Sequence, residues 1–489
     1  MVFDAGTGRI RRRAATPAAT ALPRAPEGVA FAAWSAAFAL GTLIHAWQGT
    51  QAAVVSGPVG VLTAVAAVAV LLRPTAPGRL MLLLAALLVE IVADLPDLVN
   101  HLVVVGVLGV TLIPWWLVLR LRSPEIAQDP AELYARVGPY LRLAFITTFA
   151  FAALAKLNTG FLDVAGTCAV WILESIPLVH LPAVLHAPAI YGTIALELSI
   201  PLLLLFHRTR PAAIVLGFGF HLVSAFAGHA SFSGFAWSFY LLFLPPAMIA
   251  AATQRARAAL PDAVVRGWVR RQARTASTLV VVAVAWAAGT LAIAALPAGL
   301  QWRAHWMTAA VVCTAWMGVC GWLLWTLRRE WLPAPGPKAS LRVTQPLMLL
   351  GVGLLVLTAL MPYVGLKTRA ALTMFSNVRT EPGQWNHLVL PEAMRVFDWQ
   401  DGVVEFLGSD EPELDAAVED YSRDRRLPLL EVRRLVEAHP GADVRYRIDG
   451  VERLASPVSA DPVIGVPLSP EQEWFGAMRP YTDGPRCQH

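Results

Sequence analysis

Lys156 stands near the end of the apolar run FAALAKLNTGFLD (151–163), and of the 39 lysines and arginines in the chain only Lys156, Lys338 and Lys367 are lysines. Arginine meets almost every demand for positive charge here, so a lysine in apolar company points to chemistry that arginine cannot do. Burial disfavours the charged form of an amine, and a neutral amine accepts a proton, whereas a guanidinium stays protonated. The other ionisable groups in or beside apolar segments are few. Glu90, Asp94 and Asp97 run into Asn100-His101, Glu174 lies in a connection, and Glu197 and His221 sit inside later segments. Such groups are costly in hydrocarbon and usually face a bundle interior or cavity, which predicts one shared polar pocket. ADLPDLVNH (93–101) sets Asp94, Asp97 and Asn100 at three-residue steps, roughly one helical face that Pro96 kinks. Plainer roles stay open: Lys156 as an interfacial snorkel, His101 and His221 as core histidines, and Asp94 and Asp97 as helix caps. No HxxxH or HExxH spacing supports a metal, and there is no nucleophile elbow, phosphate loop or nucleotide fingerprint.

The elements that must hold these residues are apolar and long. In 489 residues, 56% are hydrophobic and 15% charged, with a mean hydropathy of +0.55, which excludes an ordinary soluble fold. Runs long enough to cross a bilayer occur near 29–47, 54–72, 80–99, 102–119, 141–157, 188–206, 211–229, 233–251, 278–297, 306–326 and 344–362. Two or three of these are open to being re-entrant or merged, so the expected fold is a polytopic α-helical membrane protein of about nine to eleven spans. Basic residues collect in alternate loops: Arg9 to Arg24, Arg73 and Arg79, Arg120 to Arg142, Arg208 and Arg210, Arg255 to Arg274, and Arg328 to Arg342. That alternation places the N-terminus in the cytoplasm and the C-terminal segment outside, in the inner (cytoplasmic) membrane of a cell. The net charge of +5 reflects these loops and gives no basic face for nucleic acid. Residues 1–28 read as a cytoplasmic tail before a signal anchor; Arg11-Arg12-Arg13 lies too far from the apolar run for an export signal.

Beyond residue 363 charged residues and turn signals become frequent, predicting an exoplasmic α+β domain over 363–489. MRVFDWQDGVVEFLG (394–408) reads as two strands about a turn, 427–441 as a helix and 443–449 as a strand. Residues 129–140 read as an amphipathic connector. Cys313 and Cys320 are seven residues apart on one helix, about 10 Å, too far to bridge. Cys168 and Cys487 share the expected outer side, where they are open to being free or joined.

Three stretches together resemble the vitamin K-dependent gamma-glutamyl carboxylase family and its bacterial relatives with a horizontally transferred transmembrane (HTTM) domain. NHLVVVGVLG opens a span with Asn100-His101, FAALAKLNTGFLD carries Lys156, and ALELSIPLLLLFHRTRPAAIVLGFGFHLVSAFAGHASFSGFAWSF (195–239) carries Glu197 and His221. The resemblance covers residues 29–255, leaving 256–362 as additional spans; a weaker echo at 362–390 leads into the outer domain. It implies that Lys156 deprotonates a reduced quinone (vitamin K or menaquinone hydroquinone), with O2 and CO2 as co-substrates and no metal. His101 and His221 are then further catalytic residues. Asn100, His101 and Glu197 bind the quinone, and the substrate is an exported peptide or protein glutamate. Rival readings are another quinol-linked oxidation or modification, a transporter, or a silent scaffold. Paired Gly/Pro-broken spans in corresponding halves, the mark of many transporters, are missing from the sequence.

Overall fold

The computed structural model describes residues 26–49, 58–176, 179–259, 275–327, 339–481 and 486–487. The described chain is mostly helical, with a small sheet near its end, and reads as a polytopic membrane protein. The helices are α1 (Pro26–Gly49), α2 (Pro58–Leu72), α3 (Pro77–Asp94), α4 (Asn100–Arg122), α5 (Pro124–Gln128), α6 (Pro130–Ala155), α7 (Thr159–Leu162), α8 (Cys168–Glu174), α9 (His186–Leu205), α10 (Arg210–Ser224), α11 (Ala230–Leu241), α12 (Pro246–Ala259), α13 (Thr275–Ala294), α14 (Ala298–Leu327) and α15 (Pro346–Leu360).

Among the described residues six helical stretches are long and apolar enough to cross a membrane, and α2 and α15 are apolar but only 15 residues each. One of the six, Arg210–Leu241, is not a single rod. A π turn over Ala225–His229 with Gly228 at φ 94° reverses the chain. The rings of Phe218 and Tyr240 (5.5 Å) and of His221 and Phe232 (5.1 Å) then meet across the hairpin of α10 and α11. Only glycine adopts that φ without strain.

Three expectations change. Asp94 ends α3 and Asn100 begins α4, so the supposed acidic face is interrupted by a turn at Pro96, where proline stops the helix. Residues 130–140 are no connector but the first turns of α6, with Leu133, Tyr134, Val137 and Tyr140 buried. Of the two strands expected over 394–408 only the second forms.

Packing in the bundle depends on small residues and aromatic rings, because lipid supplies little hydrophobic drive between helices. Helices α1 and α11 cross where a Cβ on Gly41 would lie 2.8 Å from the backbone of Gly234. Phe38 and Phe235 (5.2 Å) and the stacked Phe145 and Phe239 (5.2 Å) fill the space beside this crossing. At one end of the bundle two buried arginines cap helix C-termini. Arg142 Nε donates to Leu242 O (2.6 Å) and Nη1 to Ser340 O (2.7 Å), while Arg210 Nε donates to Leu204 O (2.9 Å) and Nη1 to Ala339 O (2.7 Å). Each guanidinium thus joins one carbonyl at the negative end of a helix, Leu242 O or Leu204 O, to one in the extended chain before α15.

The C-terminal region holds β1 (Val403–Ser409), α16 (Pro412–Tyr421), β2 (Arg426–Pro428), α17 (Leu429–Glu437), β3 (Val444–Ile448), β4 (Val451–Ala455) and α18 (Pro470–Phe475). The antiparallel sheet runs β2-β1-β3-β4, and Val404, Phe406 and Tyr446 pack with Leu414, Val418, Val432 and Val436 of α16 and α17. Between α15 and this sheet, residues 365–390 fold over the opposite end of the bundle from the two arginines.

Candidate functional site

Lys156 is the C-cap residue of α6, a position where the helix dipole favours a cation. The residue is 3% exposed, which replaces the snorkelling alternative with a buried ammonium. Its Nζ lies 2.8 Å from Glu197 Oε2 on α9, with the two side chains 4% and 6% exposed. The hydrogen bonds it donates go to Met374 O at 3.0 Å and, at 3.4 Å, to Ala152 O one turn back, so the contact with Glu197 is an ion pair without hydrogen-bond alignment. The last carbonyls of α6 are covered in the same way: Asn158 Nδ2 donates to Ala155 O (2.7 Å) and His387 Nε2 to Leu154 O (3.0 Å). His387 Nδ1 accepts from the amides of Val389 and Leu390, which fixes its tautomer.

The pair stands in a cavity of about 470 Å³, within the range of small-molecule sites. Thr148, Phe149 and Ala152 of α6, Leu173 of α8, Gly192 and Leu196 of α9, Gly219 and Phe220 of α10, and Phe232 of α11 line it. The lining is overwhelmingly apolar apart from Lys156, Glu197, His229 and a few hydroxyls. Val215, Leu216 and Val223 line the cavity yet are 53%, 40% and 39% exposed, so the α10 wall faces the medium around the bundle.

Met374 and Phe375 close the cavity as a roof. The roof segment holds four non-glycine residues in the left-handed region, Ala370 (φ 53°), Leu372 (56°), Phe375 (47°) and Asn377 (54°). Such residues cost of order 1–3 kcal/mol each and persist only where surroundings dictate them. Here Asn100 Oδ1 accepts from Leu372 N (2.7 Å), and Asp97 pairs with Arg369 (2.6 Å). Asn377 Oδ1 accepts from Cys168 N (2.9 Å), and its Nδ2 donates to Gly166 O (3.0 Å) and Arg486 O (2.9 Å). A disulfide joins Cys168 to Cys487 across this junction. The buried Arg479 donates to Thr373 O (2.9 Å) and Oγ1 from beneath the domain, and burial pushes its guanidinium down to about 10.

The structure divides the expected single pocket. Lys156 and Glu197 meet in the cavity; Asn100 and His101 do not line it, since Asn100 holds the roof backbone. His101 Nε2 lies 2.9 Å from His45 Nδ1, His45 Nε2 2.6 Å from Glu90 Oε1, and Thr63 Oγ1 donates to Glu90 Oε2 at 2.8 Å. This buried chain runs across α4, α1, α3 and α2, and Phe232 and Phe235 of α11 stand against His101 at 6.5 Å and 5.6 Å. His221 is wholly buried, and neither ring nitrogen has a hydrogen-bond partner among the described residues. It sits edge-on to Phe149 (5.5 Å) behind the cavity wall. Glu174 is an exposed residue at the end of α8 beside His180 (3.7 Å).

Sequence reasoning missed His45, Asn158, His229 and the roof. His45 carried a usable signal, an imidazole near the end of a span at the depth of His101; the tie of Asn158 to the roof carried none, because Ser376 and Asn386 lie more than 200 residues from it, and the roof's own holders Asn100 and Arg479 lie more than 100 residues from the backbone they hold. Among the described residues no group of three or more His, Cys, Asp and Glu is placed to hold a metal. Comparison with protein-family models, curated proteins and solved structures finds no match.

Proposed function

We propose that this chain is an inner-membrane, HTTM-type enzyme that binds a reduced quinone in the Lys156–Glu197 cavity. Base-initiated quinol oxygenation there is coupled to carboxylation of an exported peptide or protein. The observation that carries this is a lysine–carboxylate pair buried in an otherwise apolar cavity whose α10 wall faces the medium around the bundle. A lipid-soluble molecule with one polar head matches that distribution of surface. The finer topology, nine to eleven spans with a cytoplasmic N-terminus and an exoplasmic C-terminal domain, belongs to the same proposal and puts the roof on the outer side.

The ion pair can take up the quinol proton without leaving a net buried charge. With Glu197 as carboxylate and Lys156 as ammonium, the pair is neutral; it could hold one proton taken from a hydroxyl of a bound quinol as the carboxyl–ammonium form, whose single positive charge would balance the oxygen left behind. Arginine in place of Lys156 would keep the charge but could not pass a proton between substrate and carboxylate. A bound reduced quinone would supply, together with O2, a base strong enough for a glutamate γ proton; the chain's part would be to hold the head group at the Lys156–Glu197 pair and take up its first hydroxyl proton there. The closed roof and apolar walls keep water from quenching that base.

The test is detergent-extracted chain with reduced menaquinone or vitamin K, followed for O2-dependent quinone epoxide and for a mass gain of one CO2 on exported glutamyl peptides. Epoxide without CO2 incorporation moves the reading to another quinol-linked oxidation. Equal inertness of wild type and Lys156→Ala removes it.

A further inference from the structure

The polar groups that a head group in the cavity would meet differ from those first expected. His101 is closed in its relay and His221 is sealed behind Phe149 and Phe232, whereas His229 lines the cavity itself. His229 belongs to the turn between α10 and α11, next to Gly228, whose φ of 94° breaks the helix. Gln48 of α1 fixes that turn from both sides. Its Nε2 donates to Gly228 O at 2.9 Å, and its Oε1 accepts from Ser231 N at 2.6 Å. The His229 ring centroid then lies 4.4 Å from that of Phe375. Lys156 donates to the carbonyl of the preceding residue, Met374. Consecutive Cα atoms are about 3.8 Å apart, so Lys156 and His229 sit beneath the same short stretch of roof, on different walls.

We propose that these two walls form a two-point site for a flat ring with opposed hydroxyls, a para-hydroquinone. One hydroxyl meets the Lys156–Glu197 pair, and the other donates to the His229 imidazole. Gln48 is the positioning residue. The inference rests on the quinol reading and adds to it the residue that fixes the head group's orientation. A neutral imidazole accepts one hydrogen bond from a hydroxyl, so the contact distinguishes a diol from its ethers.

Binding to detergent-purified full-length chain is measured by calorimetry under argon, with 2-methyl-1,4-naphthohydroquinone and each of its two monomethyl ethers as probes. Wild type should bind the diol about fivefold tighter than the better ether, the worth of one neutral hydrogen bond. In His229→Phe, which keeps a ring against Phe375, diol affinity should fall to that of the better ether, whose own affinity stays unchanged. Gln48→Ala should move the diol in the same direction. His229→Leu gives the same readout where His229→Phe does not elute as a single folded species. A diol that keeps its advantage over both ethers in these variants overturns the inference and leaves the quinol reading standing. Absence of binding of all three probes to monodisperse wild type overturns both.

Discussion

Removing Lys156 alone should cost far more than removing Lys156 and Glu197 together. The side chains are 4% and 6% exposed and 2.8 Å apart, so Lys156→Met leaves a carboxylate in an apolar cavity without its cation. Breaking a buried pair in this way costs about 3–5 kcal/mol, while replacing both partners by apolar groups of similar size is often near neutral. The ammonium also donates to Met374 O at 3.0 Å, worth about 1 kcal/mol. Its 3.4 Å contact with Ala152 O is long enough to add little. Lys156→Met/Glu197→Leu should therefore sit within about 1–2 kcal/mol of wild type, with a coupling energy of at least about 2 kcal/mol between the two sites. The assay is retention of the monodisperse peak after heating in detergent, with both single variants, the double variant and wild type treated side by side. Since membrane proteins often unfold irreversibly, half-lives at one temperature are compared. Additive effects, or a Lys156→Met chain as durable as wild type, would refute the buried pair.

Other outcomes follow from the roof and the domain above it. Burial pushes the Lys367 amine from its ordinary 10.5 down to about 8. Between those values the unfolded chain binds a proton that the folded chain refuses, so stability rises with pH from about 8 to 10.5, and below about 8 the full penalty of roughly 3 kcal/mol applies. Lys367→Met should flatten that slope and raise durability at pH 7; an unchanged slope would show that Lys367 is not its source. Alkylation of denatured, unreduced protein should label two of the four cysteines, Cys313 and Cys320, and all four after reduction. Labelling of Cys168 or Cys487 before reduction would show that the bridge does not form. Arg479→Met should loosen the roof by about 2 kcal/mol, seen as faster amide exchange over residues 370–380; protection equal to wild type would mean that the roof is held by Asn100 and Asn377 alone.

What was legible in the sequence is what local chemistry decides. Apolar runs marked where the long helices lie, although the run at 233–251 is divided between α11 and α12, the oddity of one lysine located Lys156, and turn chemistry found β1, α17 and β3 within a residue or two at most ends. Pro96 illustrates the limit of counting positions: three-residue spacing suggested a continuous acidic face, but proline ended α3 and sent Asp97 to Arg369 and Asn100 to the roof. Glu197, expected to bind the quinone, gives no sign in the local sequence of the cation it pairs with, although Arg208 and Arg210 follow it within about a dozen residues. Its partner comes from another helix, and Arg210 is occupied by the carbonyls of Leu204 and Ala339.

The roof is where sequence reading had least purchase, for a physical reason that also bears on function. Leu372 and Phe375 have no intrinsic preference for the left-handed region, so their conformation is imposed by Asn100, Asn377 and Arg479 rather than encoded locally. Those three residues come from α4, the roof itself and the end of the domain. The Met374 carbonyl that receives Lys156 and the Phe375 ring that meets His229 are therefore set only when the bundle and the C-terminal region are both folded. A chain lacking the domain would keep Lys156 and Glu197 on adjacent helices but lose the roof above them. Expressed as residues 1–362, it should retain the helical bundle and bind the naphthohydroquinone at least tenfold more weakly, since an open cavity lets water compete for the pair. Equal affinity in the truncated and full-length chains would place the head-group site below the roof and away from Met374.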